Sequence, residues 1–439
     1  VAGRLAGDPE RAHLEAFLDW AEDGPWLLQR PLLRWASRLI PAATLTFAVL
    51  QLEGTLERPW WILTLLAGVL LSAAVTKRVH RIFARASLGD AGLRHYADVV
   101  RTIQRESFGS EPLRRARGAL VDESDAGAEL ERLGWLTELA HLRHNGMFYL
   151  LLHWPTLWDF HVLTGLERWQ RRAGKRVRAW VDAVGDLDAL SALAGPAHDE
   201  PDAWSFPELR RTATAGDDDA ARFVAEGLAH PLLPLDARVA NDVDLGPPGT
   251  FLMVTGSNMS GKSTLLRAIG VNAVLALAGG PVCARRLAMP PVDVFTSMRI
   301  EDSLERGVSL FMAELQRLKM VVDAADAARD RPVLYLLDEI LHGTNTAERQ
   351  VAVREVLSHL LRSHALGAIS THDLELAAAD PLATAVVPVH FQETVHPEGH
   401  EPPMTFDYRL REGIATSTNA LKLVRLVGLA TPSAPTSAD

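Results

Sequence analysis

Residues Phe251 to Thr264 read FLMVTGSNMSGKST, and the chain is understood outward from them. Phe251 to Thr255 is a short apolar run that predicts a buried strand. It leads into Gly256-Ser257-Asn258-Met259-Ser260-Gly261-Lys262-Ser263, followed by Thr264. That run fits a glycine, four residues, then Gly-Lys-Ser/Thr, the pattern of a phosphate-binding loop. Leu265, Leu266, Ile269, Val271 and Val274 follow at roughly helical spacing. Two glycines let the backbone curl so that successive N–H groups face one anion, and a helix start adds its partial positive charge. Lys262 can then reach the outer phosphates, and the Ser263 hydroxyl can ligate the Mg²⁺ that accompanies them. A chance match in a Gly/Ser-rich turn is the competing reading. The strand before and the helix after argue against it.

Two more strands point to the same chemistry. Val333 to Leu337 is apolar and ends at Asp338-Glu339, about 75 residues beyond the loop. Asp338 at the strand end can hold Mg²⁺, and Glu339 can orient or deprotonate an attacking water. Leu366 to Ser370 ends at Thr371-His372-Asp373. A histidine there can sense or stabilise a γ-phosphate, although a lone histidine at a strand end is more often an ordinary cap.

The chain has 439 residues, room for two or three domains. Its formal charge is −10, so no global basic field would hold a nucleic acid. One cysteine, Cys283, excludes an internal disulfide framework and fits a reducing compartment. The first residue is Val1, as in a piece of a longer chain or a product of an alternative start codon.

Residues 1–31 predict a short amphipathic helix. Residues 32–82 are different in kind. Leu39 to Leu52 is largely apolar, and Pro59 to Thr76 carries no charge. As a helix the second run spans roughly 27 Å, close to the ~30 Å hydrocarbon core of a bilayer. Arg34 and Arg38 precede the pair, and Lys77, Arg78 and Arg81 follow it. The positive-inside bias therefore predicts a transmembrane hairpin with both ends in the cytoplasm. The alternative is a buried helical hairpin in a soluble, cytoplasmic protein. Residues 83–229 read as mostly helix. Within them Leu163, Leu166, Trp169, Ala173, Val177, Trp180 and Val184 form one seam of helical period. The opposite face carries Arg168, Arg171, Arg172, Lys175, Arg176 and Arg178, a surface for a phosphate backbone or anionic lipid, or a merely solvated face. Asp217 to Asp219 reads as an exposed loop, and the tail 431–439 as disordered.

Taken together, residues 230–430 resemble the ATPase domain of the MutS family of DNA mismatch-repair proteins, within the ABC class. The resemblance rests on TGSNMSGKST at 255–264, DEILHGTNT at 338–346, STHDLEL at 370–376 and GVSLFMAE at 307–314. It also rests on Tyr408 to Gly413 with Ala415 to Asn419, which look like the family's closing strand and helix. It implies an α/β P-loop ATPase domain, preceded by a mostly α-helical region that includes the transmembrane hairpin. The expected ligands are ATP and Mg²⁺, bound at composite sites of a homodimer joined through the ATPase domains. In that family the signature serine meets the γ-phosphate of the other subunit's ATP, a role that falls here on Ser309. Arg238-Val239-Ala240-Asn241 matches the segment that holds adenine, so Arg238 and Asn241 are expected at the base. Arg238 stands where repair-type members carry an aromatic residue, and a guanidinium plane can still stack on adenine. Residues 159–210 more loosely resemble the helical core that precedes the ATPase. The stretch between hairpin and ATPase is too short for a full lever and clamp, and no mismatch-reading domain or wedge is evident. The letters Phe391-Gln392-Glu393 fall inside the ATPase region, where a strand is expected. The nucleotide motifs and the apolar pair at 39–76 together predict a membrane-tethered ATPase facing the cytoplasm, with a soluble DNA-binding repair or recombination ATPase as the alternative.

Overall fold

The computed structural model describes residues 9–86, 92–121, 125–144, 146–210, 221–298, 310–328, 331–341, 346–363, 365–396 and 404–415. Ser309, Asp217 to Asp219, 416–419 and the tail lie outside these residues. The chain divides into two compact units, Val1–Ser191 and Ala192–Asp439.

Helices build the first unit: α1 (Pro9–Glu22), α2 (Pro31–Leu52), α3 (Trp60–Ala86), α4 (Gly92–Arg105), α5 (Glu111–Val121), α6 (Ala126–His141), α7 (Gly146–Thr156), α8 (Trp158–Ala173) and the start of α9 (Val177–Asp199). The seam predicted from Leu163 to Val184 faces the core, where Leu163, Leu166, Trp169, Ala173, Val177 and Trp180 are all buried. Trp169 lies parallel to Trp20, with ring centroids 5.9 Å apart. Truncating such a buried tryptophan to alanine costs about 3–5 kcal/mol. The seam is not one helix, however. A 3₁₀ turn at Gly174–Arg176 divides it, where a Cβ on Gly174 would run into the carbonyl oxygen of Ala21. Close approach of α1 therefore requires glycine at this point. The first helix is thus part of this core, as its buried Phe17, Leu18 and Trp20 show.

Helices α2 and α3 run antiparallel. Thr44 Oγ1 donates to Thr64 Oγ1 at 2.8 Å, Trp61 Nε1 donates to Gln51 Oε1 at 2.5 Å, and Ile40 lies against Gly68. Helix α3 is the one described helix long and apolar enough to cross a membrane, and only 11% of its apolar window is buried. Leu39, Leu45, Leu63, Leu66 and Leu70 are each more than half exposed. A hairpin serving as a soluble core would bury such side chains.

Two arginines of the basic face on α8 and α9 are paired with acids. Arg172 makes a two-pronged contact with Glu129 at 2.7 Å. Arg178 reaches Glu22 at 2.8 Å and Glu15 at 3.4 Å.

Two sheets form the second unit. Strands β1 (Glu208–Leu209), β2 (Phe223–Leu228), β3 (Asn241–Leu245) and β5 (Arg286–Met289) lie in the order β1-β5-β2-β3. The predicted helical stretch thus ends at Asp199, and the residues before 230 already supply two strands to this sheet. The larger sheet has the order β10-β9-β4-β8-β7-β6. It comprises β4 (Phe251–Thr255), β6 (Asp293–Ser297), β7 (Val333–Asp338), β8 (Ala365–Ser370), β9 (Val386–Val395) and β10 (Met404–Glu412). All its pairs are parallel except β9 with β10. Helices α10 (Lys262–Leu277), α11 (Leu310–Ala327) and α12 (Thr346–Arg362) complete the unit. Every residue of β4 and β8 is buried, which is why these strands read as continuous apolar runs rather than alternating ones. Parallel order brings the carboxyl ends of β4, β7 and β8 to one edge, the usual place for a ligand crevice in such sheets.

Candidate functional site

The glycine loop joins β4 to α10 at that edge. Gly256 has φ +141°, and a Cβ there would lie 2.9 Å from Ser260 Oγ and 3.0 Å from Phe391 O. Both the backbone conformation and the space require glycine. Gly261, at φ +109°, is the N-cap of α10. Lys262 is only 4% exposed. Its Nζ donates to the carbonyl oxygens of Gly256 at 3.0 Å and Ser257 at 2.9 Å, and lies 3.4 Å from Glu339 Oε1. Burial pushes the ammonium below the usual lysine range, against the pull of Glu339. A desolvated cation of this kind favours an incoming anion.

The strand-end residues converge on the loop. Ser263 Oγ donates to Asp338 Oδ1 at 3.0 Å, and Ser370 Oγ donates to the same oxygen at 2.5 Å. Glu339 takes φ +46°, held by its N–H donating to Ser370 O at 3.2 Å and Ser370 Oγ at 3.1 Å. His372 Nε2 lies 2.7 Å from Glu339 Oε1 and 2.8 Å from Asn258 Oδ1. These two nearest neighbours are acceptors, with the Lys262 ammonium further away at 3.4 Å, so Nε2 is assigned the proton. Ser257 Oγ donates to Glu393 Oε2 at 3.1 Å, so the letters Phe391-Gln392-Glu393 belong to strand β9 and support the loop. Ser263 and Asp338 offer two hard oxygens that fit Mg²⁺ bound together with phosphate oxygens. Among the described residues no group of three or more His, Cys, Asp or Glu could hold a metal.

A pocket of about 830 Å³ opens over these groups, lined by Asn258, Met259, Gly261, Lys262, Ser263, Thr264, Asp338 and Glu339. His230, Leu233, Val239, Asn241 and Tyr408 also line it, with the Tyr408 ring close against Gly261 of the loop. Of the pair expected at the base, Asn241 lines this pocket and Arg238 does not. The Arg238 guanidinium is held by Glu200 at 2.6 Å and by the carbonyl oxygen of Leu233 at 2.8 Å, and its side chain is 8% exposed. It is tied up structurally rather than presented to a base.

The aromatic wall comes instead from Tyr408. The pairing of β9 with β10 shifts register between Phe406 and Leu410, and Tyr408 within this bulge has φ +55°. Bulges re-aim side chains in this way. Asn241 fixes the bulge, donating from Nδ2 to Tyr408 O at 3.0 Å and accepting from Leu410 N–H at 2.7 Å. Among the described residues five non-glycine positions have positive φ, and Met259, Glu339 and Tyr408 among them line this one pocket. Strained backbone gathers at functional sites, at about 1–3 kcal/mol each.

Residues 252–435 match MutS domain V. The chain is 31% identical over 281 residues to DNA mismatch repair protein MutS 2 of Halobacterium salinarum, covering 62% of this chain and 30% of that protein. It is 34% identical over 257 residues to DNA mismatch repair protein MutS of Cereibacter sphaeroides, covering 56% of this chain and 27% of that protein. Against DNA mismatch repair protein MSH6 of Arabidopsis thaliana it is 30% identical over 263 residues, 57% of this chain and 19% of that protein. The chain therefore spans less than a third of the length of the MutS relatives it matches. The second unit carries the MutS-like domain, and the helical unit stands ahead of it.

Proposed function

We propose that this chain is a MutS-like P-loop ATPase that binds and hydrolyses ATP in the pocket lined by the glycine loop, Asn241 and Tyr408. The observation that carries the reading is the meeting of Lys262, Ser263, Asp338, Glu339 and His372 at one sheet edge. In it the loop N–H groups and Lys262 hold the β- and γ-phosphates. Ser263 and Asp338 would hold Mg²⁺, which would supply neutralisation of the charge that develops on the phosphates. Glu339 accepts the proton of the attacking water as its oxygen bonds to the γ-phosphorus, and the bond to the bridging oxygen breaks to release ADP. His372 donates from Nε2 towards the γ-phosphate or its product. Steady-state phosphate release tests the assignment: Lys262→Ala should lose nucleotide binding and Glu339→Gln should lose turnover. Wild-type turnover in either variant overturns it.

The reading extends to a homodimer with Ser309 completing the neighbour's site, as the MutS resemblance implies, and to a membrane tether through α2 and α3. The exposed leucines of that hairpin support the tether. A reporter inserted at 53–58 should then mark the non-cytoplasmic side and one at the C-terminus the cytoplasm. A protein that stays monodisperse without detergent refutes the tether. The alternative of a soluble DNA-binding repair ATPase draws on the names of the relatives. It loses support where Arg172 and Arg178 are paired with acids.

A further inference from the structure

A second cavity, of about 200 Å³, lies within the helical unit and is lined by Trp26, Arg78, Arg81, Arg85, Asp23 and Glu167 among others. Three features make it a site rather than a gap. Arg78, Arg81 and Arg85 stand at steps of three and four on α3, so their guanidinium groups share one face of the helix. The acid that could neutralise them is occupied elsewhere. Glu167, 1% exposed, accepts from the N–H groups of Trp26 at 3.0 Å and of Leu27 and Leu28 at 2.7 Å. Among the described residues no ion pair joins the three arginines to Glu167 or Asp23. Lastly, the wall opposite is built. Trp26 receives the guanidinium carbons of Arg30 and Arg78, each 5.0 Å from the ring centroid, a cation–π distance.

Position on the helix narrows the ligand. Counting from Trp60, Arg78 stands roughly 27 Å and Arg85 roughly 38 Å along α3. With Trp60 at one face of a hydrocarbon core ~30 Å thick, Arg78 reaches the opposite boundary of that core, and Arg81 and Arg85 lie beyond it on the headgroup side. Arginine presents a planar fork that matches phosphate oxygens.

We infer that this cavity binds a phosphate group through Arg78, Arg81 and Arg85, and that the phosphate is the headgroup of an anionic membrane lipid. The lipid source rests on the membrane tether proposed above; the phosphate chemistry does not.

The test is isothermal titration of the full chain in a neutral detergent with short-chain phosphatidylglycerol, short-chain phosphatidylcholine, and inorganic phosphate. Phosphatidylglycerol should bind at least tenfold more tightly than phosphatidylcholine. The double substitution Arg81→Gln, Arg85→Gln should weaken it tenfold or more, while Arg81→Lys, Arg85→Lys keeps most of the binding. Flotation with neutral vesicles should be unchanged in both variants, which separates the site from the tether. Inorganic phosphate binding as tightly as phosphatidylglycerol supports the phosphate site and overturns the lipid source. Equal binding of the two lipids, unaffected by the glutamine variant, overturns the proposal.

Discussion

Lys262 and Glu339 form an ion pair inside the pocket, Nζ to Oε1 3.4 Å, and Glu339 therefore occupies the cation that a phosphate would need. A nucleotide entering this geometry has to separate the two. Glu339→Gln removes the competing charge, so it should bind ATP at least as tightly as the wild type in a Mg²⁺-chelated titration. Turnover should fall by about 10²–10⁴, the usual contribution of a general base. Weaker ATP binding by this variant would show that Glu339 helps to hold nucleotide rather than obstructing it.

Arg238 and Tyr408 should separate stability from base binding. Arg238→Ala removes the ion pair to Glu200 and the bonds to the Leu233 carbonyl and should lower the melting temperature, with KM for ATP nearly unchanged. Tyr408→Ala should spare the melting temperature and raise KM about 5- to 150-fold, the scale of an aromatic stack on a base, ~1–3 kcal/mol. A raised KM in Arg238→Ala with an unchanged melting temperature would return the arginine to the base.

Glu167 sets a pH dependence for the helical unit. Burial raises its carboxyl above the usual glutamate range, opposed by the N–H groups of Leu27, Leu28 and Trp26. A raised folded pKa means that the folded chain holds the proton more tightly than the unfolded chain. The resulting stability is fully present below the unfolded value, ~4.3, and is lost as pH rises through the folded value. Thermal melts of Glu167→Gln should lack that loss across the same window. A parallel pH profile in variant and wild type would contradict the assignment.

Ser309 is tested by mixing. If each site takes Lys262 from one chain and Ser309 from the other, a mixed dimer of Lys262→Ala and Ser309→Ala chains has one site with both lesions and one with none. Some turnover should return on mixing two inactive variants. Wild-type rates in Ser309→Ala alone would reduce the serine to a helix cap.

The larger sheet was legible because parallel strands buried on both faces must be apolar throughout, as in Phe251 to Val254 and Val333 to Leu337. Asp338, Glu339 and His372 follow directly from where those strands stop. The smaller sheet was not legible. Its β3, Asn241–Leu245, alternates acids with apolar residues over only five positions, and its partners are distant in sequence. The seam from Leu163 to Val184 was read correctly as a buried face, but its division at Gly174 depends on Ala21, about 150 residues away. Arg238 was misplaced for the same reason, since Glu200 captures it from 38 positions upstream. Tyr408 read only as part of a closing strand, because a bulge and a positive φ, which aim it into the pocket, leave no mark in the residue pattern.

The clasp that Asn241 places on the Tyr408 bulge has a consequence for what the pocket can distinguish. Asn241 is on the smaller sheet, whereas Tyr408 and the glycine loop belong to the larger. A base held between them spans the seam joining both sheets, whereas inorganic triphosphate would touch mainly one. On the proposed reading, loss of the γ-phosphate would leave ADP held at two points, by its β-phosphate in the loop and by its base beside the clasp. Because Asn241 bonds to Tyr408 O and Leu410 N–H without any nucleotide, the base would meet a wall already set by both sheets.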